Sequence, residues 1–385
     1  MNFDRPVDRK GTSSVKWEWF KGEDVLPLWV ADMDFAAPEA VTTALVRRAG
    51  HPVYGYTLPS DALYEAALGH IEKHFGWKVE RDCLLFIPGV VTGFNVAARL
   101  VGETEAIAVP SPAYPPFLSA AKNARREMVK VSLPVENGRL VINRDVLEAQ
   151  VTPETKLLML CSPYNPGGTL LTKEELSGIV DFCEERDILI CSDEIHADLV
   201  MDESRKHIPT ASLSKVAAAR TVTLMAPSKT FNIPGLGCAM AIIEDETLRT
   251  RFKAAMDGIV PYVNLMGYEG ATAAYIHGSP WLKEVLSYLK ENRDYAFKRL
   301  AAMKGLKPLL PEATYLIWMD ARDLGVKDPA AFFEAGGVGL SDGAHFDAPG
   351  WLRLNFACTR AVLQEALDRM EKAIETLKSM PPAAR

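Results

Sequence analysis

The sequence predicts an α/β protein: a mainly parallel sheet of the seven-stranded type with helices on both faces, joined to a smaller α+β unit. Three observations predict it. Seven short apolar runs between residues 83 and 243 alternate with amphipathic stretches, the rhythm of strand and crossover helix. Several of these runs break into glycine, proline or charge, as strands do where a parallel sheet opens its ligand crevice. After residue 245 the pattern turns helical and ends in a shorter strand-and-helix set. The expected division is a large domain over 45–280 and a small one made of 1–44 with 281–385.

Residues 1–37 show little regular pattern but many aromatics, among them Trp17, Trp19, Phe20, Trp29 and Phe35. Two readings stay open for this stretch: an irregular segment packing its rings on a neighbouring unit, or a flap over a pocket. Pro38 opens a helix to about Ala49, a position where its missing N–H costs nothing. The segment HPVYGYTLPS is loop by its glycine and prolines. Ser60 caps an amphipathic helix that Gly76 closes. A strand over 83–87 leads through Pro88 and Gly89 into an apolar helix reaching about Val101. That junction leaves free backbone N–H groups at the helix start, where an anion can sit, although most such turns bind nothing.

Residues 105–109 form the next strand, and the prolines after it can hold Tyr114 broadside to a planar ligand. A strand over 127–133, a helix near 144–151 and a strand over 156–161 follow. The loop SPYNPGGT then presents Asn165. Thr172 and Glu175 form a capping box for a helix ending near Arg186. The run ILICSDEIH ends in Asp193, Glu194 and His196, and TVTLMAPSKTFNIPG (strand 221–226) ends in Lys229. A strand over 238–243 completes the sheet. Ser279 and Pro280 cap a long helix to about Met303. Strands over 314–320 and 351–357, a short helix after Asp328 and a final helix from Thr359 make the smaller unit.

Composition narrows the function classes. The net charge of −7 is modest and spread along the chain, which points to neither a nucleic-acid nor a membrane partner. Six cysteines lie mostly in apolar runs without a C-x-x-C pair, as small core residues in a reducing compartment do. The amino terminus lacks the apolar core of a secretory signal, and no stretch reaches the roughly 18 apolar residues of a membrane span. The expected location is cytoplasmic.

Asp193 and Lys229 offer, at two strand ends, the acid and amine that pyridoxal 5'-phosphate requires: a lysine for the Schiff base and a carboxylate facing the pyridine nitrogen. An aspartate after a strand is more often a cap, and a loop lysine more often solvated. The pair, with a phosphate loop and an arginine elsewhere, lifts the reading above those priors.

With NPGG, SDE, SKTFNIPG and the arginine of WLRLNFA in one order, the chain resembles the fold-type I pyridoxal-phosphate enzymes of the aspartate-aminotransferase superfamily. Its opening KWEWF, LPLWVADMDF, YGYT, SDEIHADL and APSKTFNIPGL resemble the cystathionine β-lyase, or C–S lyase, branch. The resemblance implies that Lys229 holds the cofactor and moves the substrate α-proton, and that Asp193 faces the ring nitrogen. It places Tyr114 on a ring face, Asn165 at the ring hydroxyl, and Val90 and Val91 at the phosphate. Tyr56 of YGYT would reach the phosphate of a second subunit, which implies a homodimer with shared active sites. Arg353 would clamp the substrate carboxylate, with Asn165 and the flap residue Trp29 beside it. The chain departs from the family at Ala226 and Gly237, where a hydroxyl and an arginine often meet the phosphate; Ser228 is the expected substitute. His196 stays open between a ring contact and a packed core histidine. The implied reaction is β-elimination of an L-cysteine S-conjugate. The alternatives are an aminotransferase on the same scaffold and a regulatory protein that keeps the cofactor and contacts a protein partner.

Overall fold

The computed structural model describes residues 1–202 and 204–379. Its main sheet contains β1 (Leu84–Ile87), β2 (Ala106–Ser111), β3 (Glu127–Ser132), β4 (Thr155–Cys161), β5 (Leu189–Asp193), β6 (Thr221–Met225) and β7 (Ala239–Ile242). The spatial order is β1-β7-β6-β5-β4-β2-β3, with β7 antiparallel to both neighbours and the other pairs parallel. Strands β2 and β6 are buried at every position because helices cover both faces. The edge strand β3 instead shows Glu127 and Lys130 to solvent, charges that discourage edge-to-edge pairing.

A second sheet, of β8 (Lys307–Pro308), β9 (Leu316–Asp320), β10 (Ser341–Asp342) and β11 (Trp351–Asn355), is antiparallel in the order β8-β9-β11-β10. A 24-residue helix, Ser279–Ala302, crosses between the two sheets in sequence. No helix among the described residues is long and apolar enough to cross a membrane. All six cysteines are free and buried.

Local signals set most element ends. The Ser60 hydroxyl accepts from the Leu63 N–H at the start of Asp61–Phe75, and Gly76 closes that helix at φ +67°. The capping box of Thr172 and Glu175 is formed at Lys173–Glu185. Other ends differ from the expectation. Gly278 rather than Ser279 occupies the cap of the long helix, with no side-chain cap bond. Strand β2 runs two residues beyond 109, through Pro110, whose carbonyl accepts from the Tyr164 hydroxyl at 3.1 Å. Strand β11 stops at Asn355, because its amide turns to the carbonyls of Val30 and Asp32 at 2.6 and 2.7 Å.

The amino-terminal segment packs its rings against neighbouring elements. Phe3 and Phe35 pack edge-on at 5.2 Å, and Phe3 also meets Trp281. Leu26–Pro27 pairs in parallel with Val338–Gly339, so the segment joins the small unit. Its two acids then meet cations from further upstream. Arg9 reaches Asp32 at 2.6 Å and Asp34 at 2.7 Å, and the fully buried Lys16 reaches Asp34 at 2.7 Å. Burial works against the Asp34 carboxylate, yet Lys16, Trp17 and Arg9 hold it below the usual range. Lys16→Ala therefore strands a buried charge and should cost about 3 kcal/mol of unfolding free energy. Urea denaturation checks this, and a loss under about 1 kcal/mol would show that Arg9 alone suffices.

Candidate active site

A cavity of about 640 Å³ lies at the carboxyl ends of the central strands. Asp193 enters it from the end of β5 and Asn165 from the loop after β4. Lys229 and Ser228 come from a helical turn, Pro227–Thr230, that follows β6. Tyr114 faces it from the loop after β2, and Gly89, Val90 and Val91 from the start of the helix Val90–Ala97. That helix packs close to the sheet: a Cβ on Gly93 would lie 2.6 Å from Leu224 Cδ2. Arg353 and Ser341 enter from the second sheet, and Trp29 and Ala31 from the amino-terminal segment. The amine and the acid thus share one chamber. Of the residues expected to meet cofactor or substrate, only Tyr56 lies away from it, fully exposed in the irregular stretch before Ser60.

Lys229 Nζ donates to the Ala31 carbonyl at 2.5 Å, and the Tyr315 hydroxyl donates to the same oxygen at 2.9 Å. Burial lowers the lysine to about 8, opposed by Asp32 and aided by Arg353. A base of that strength takes up a proton readily near neutrality. Asp193 behaves in the opposite sense. Burial raises it to about 7, the Ile195 N–H at 3.0 Å opposes, and the charge of Glu194 adds. It is a buried carboxyl still without a cation in contact. Its sequence neighbour Glu194 points elsewhere, onto His207 Nε2 at 2.7 Å and the Thr210 N–H at 2.9 Å. Alternation along the chain separates the two acids of SDE.

Arg353 is the most informative side chain. Its Nη1 donates to Asn165 Oδ1 at 2.9 Å, and Nη2 donates to the Trp29 carbonyl at 2.9 Å and to Ser341 Oγ at 3.2 Å. Nε has no partner, and the guanidinium lies over the Phe346 ring at 4.6 Å. Every acceptor is neutral. Burial pulls the group down to about 10, which is large for an arginine. A buried guanidinium without a carboxylate is costly, and a carboxylate ligand removes that cost.

His196 is buried with Nδ1 unpartnered, and its ring meets Tyr315 edge-on at 6.0 Å. Burial, with the Lys229 and Arg353 charges, lowers it to about 3, so the imidazole is neutral. It lines the cavity.

The start of Val90–Ala97 offers its amides beside an extended Gly89, around which a Cβ would meet nothing within 4 Å. Gly237 sits at φ +61°, with a Cβ position 3.3 Å from the Pro88 carbonyl, so a side chain there is strained. Gly168 in NPGG is fixed as tightly: φ is +69°, and a Cβ would come 2.4 Å from Pro311 Cβ. That contact ties the Asn165 loop to the small unit.

Sequence reasoning missed Ser341 and the carbonyls of Trp29 and Ala31. Ser341 lies on a two-residue strand whose only distinguishing feature is its register opposite Arg353. Backbone acceptors carry no side-chain signature at all.

Comparison with known proteins places the chain in a family. Residues 23–370 match the model of aminotransferase class I and II, and the chain belongs to that family. Among curated relatives, the cystathionine beta-lyase PatB of Bacillus subtilis (strain 168) is 37% identical, covering 97% of this chain and all of PatB. Among solved structures, OvoB superposes with a TM-score of 0.96 at 44% identity, over 99% of this chain and 100% of that one. The pyridoxal-phosphate-bound C–S lyase of Staphylococcus hominis superposes with a TM-score of 0.90 at 30% identity, over 97% of this chain and 98% of that one.

Proposed function

We propose that this protein is a pyridoxal-phosphate-dependent C–S β-lyase, which cleaves L-cysteine S-conjugates such as cystathionine to a thiol, pyruvate and ammonia with uptake of water. One observation carries the reading: a single cavity holds a buried amine, a buried acid without a cation and a guanidinium without an acid. These unpaired groups fit the cofactor and an amino acid together, because each lacks the partner that one of them brings. The lyase relatives at this identity, matched over their full length, support the choice of reaction.

Lys229 would hold the cofactor, Asp193 face its ring nitrogen, Tyr114 cover a ring face and Asn165 meet the ring hydroxyl. Val90, Val91 and Ser228 would take the phosphate. When bound, pyridoxal phosphate supplies an electron sink for negative charge at Cα. The chain's own residues do the rest. Arg353 orients the substrate through its carboxylate, which fixes the Cα–H bond for removal. Lys229 takes the α-proton and returns a proton to the departing side, as an amine near 8 can do in both directions. Trp29 and Ala31 close the amino-terminal side and exclude water.

Tyr56, fully exposed and away from its own cavity, suits a contact with the phosphate of a second copy, so the working unit is a homodimer. The proposed division into 45–280 and 1–44 with 281–385 would put one of the two larger sheets in each unit. Free buried cysteines accord with a cytoplasmic location. The test is pyruvate release from cystathionine with no 2-oxo acid added. Release supports the lyase, and strict dependence on a 2-oxo acid overturns it in favour of the transaminase.

A further inference from the structure

Outside this chamber, the helix Asp61–Phe75 carries His70 and His74 one turn apart on one face. Their rings stack with centroids 4.1 Å apart. The stretch after β5 brings Asp198 against both: its Oδ1 lies 2.9 Å from His70 Nε2 and 3.8 Å from His74 Nδ1. The three ligand atoms fall within 4.8 Å of one another. The other Asp198 oxygen accepts from the Thr230 hydroxyl at 2.9 Å, which fixes the direction of the carboxylate. A separate cavity of about 570 Å³, lined by His74 and Asp198, gives an ion entry and leaves room for water.

We propose that His70, His74 and Asp198 bind a divalent transition ion of the zinc type, with water as the fourth ligand. Two imidazole nitrogens and one carboxylate oxygen are the donors such an ion prefers, and a hydrogen-bonding group behind a ligand is the usual support. In a tetrahedral set at Zn–N distances of about 2.0 Å, ligand atoms lie roughly 3.3 Å apart. The separations of 2.9 and 3.8 Å bracket that value, and rotation of the half-buried His74 ring closes the remaining gap. A buried His–Asp hydrogen bond alone accounts for His70. It gives no reason for a second imidazole facing the same oxygen. The ion would fasten this helix to the chain just after Asp193 and, through Thr230, to the neighbour of Lys229. It touches no reacting atom, so its role is positioning.

The test adds Co²⁺ to the full-length holoenzyme and follows its ligand-field bands, at longer wavelength than the cofactor absorbs. The expected result is saturable uptake displaced by Zn²⁺, and a rise in unfolding temperature with Zn²⁺. His74→Ala should weaken uptake roughly 100-fold or more and remove the thermal rise. Asp198→Asn, which keeps an acceptor for Thr230, is the second variant and should behave alike. Absence of uptake overturns the proposal. So does equal uptake by wild type and both variants, and so do bands of thiolate ligation, which would place the ion on a cysteine.

Discussion

Lys229→Ala will release pyruvate from cystathionine at least about 10³–10⁴ times more slowly than wild type, the range lost with a positioned proton-transfer group. The two nitrogen groups nearest in kind do not take its place. His196 is held near 3 and is too weak a base, and Arg353, at about 10, has no free pair at neutral pH. Folding should survive. The lysine makes one hydrogen bond, to the Ala31 carbonyl, which keeps the Tyr315 hydroxyl as a donor. Removing a buried amine also removes its desolvation cost. An unfolding temperature close to wild type with activity gone is therefore expected. Retained activity at even a hundredth of the wild-type rate would place the proton transfer on another group.

The second large effect is at Arg353. Arg353→Lys keeps the charge but loses the planar fork that now spans Asn165, Trp29 and Ser341. An ammonium on a shorter stem cannot meet a carboxylate with two parallel bonds and also keep those three acceptors. The expected loss in kcat/KM is about 100-fold, near 3 kcal/mol, and it should fall mainly on KM. A substrate whose α-carboxylate is esterified should lose little in going from wild type to variant. If acid and ester suffer equally, the arginine supports the fold and does not read the carboxylate.

Asp193 and Lys229 were legible in the sequence because each lies at or just past the end of a strand, and a strand is a short local pattern. Asp193 and Lys229 follow apolar runs, and Thr172 and Glu175 cap a helix within one turn. Pairings across the chain were not legible. Asp32 and Asp34 stand in an apolar run with nothing nearby to show that Arg9 and Lys16 would neutralise them. Ser341 lies on a strand too short to leave a periodicity, and the Ala31 and Trp29 acceptors belong to the backbone. His70 and His74 had helical spacing from the start, but Asp198 is 128 positions away from the first of them. The amino-terminal aromatics allowed two readings because a ring that packs and a ring that lines a pocket look alike until their surroundings are known.

Because Leu26–Pro27 pairs with Val338–Gly339, and the Trp29 carbonyl is held by Arg353, 324 positions away, two distant stretches of sequence meet at the chamber wall. A chain that has made its large sheet, but not yet Trp351–Asn355, owns the amine and the acid without the guanidinium of Arg353. Under the proposed function, competence to bind an amino acid therefore arrives only when that strand is in place.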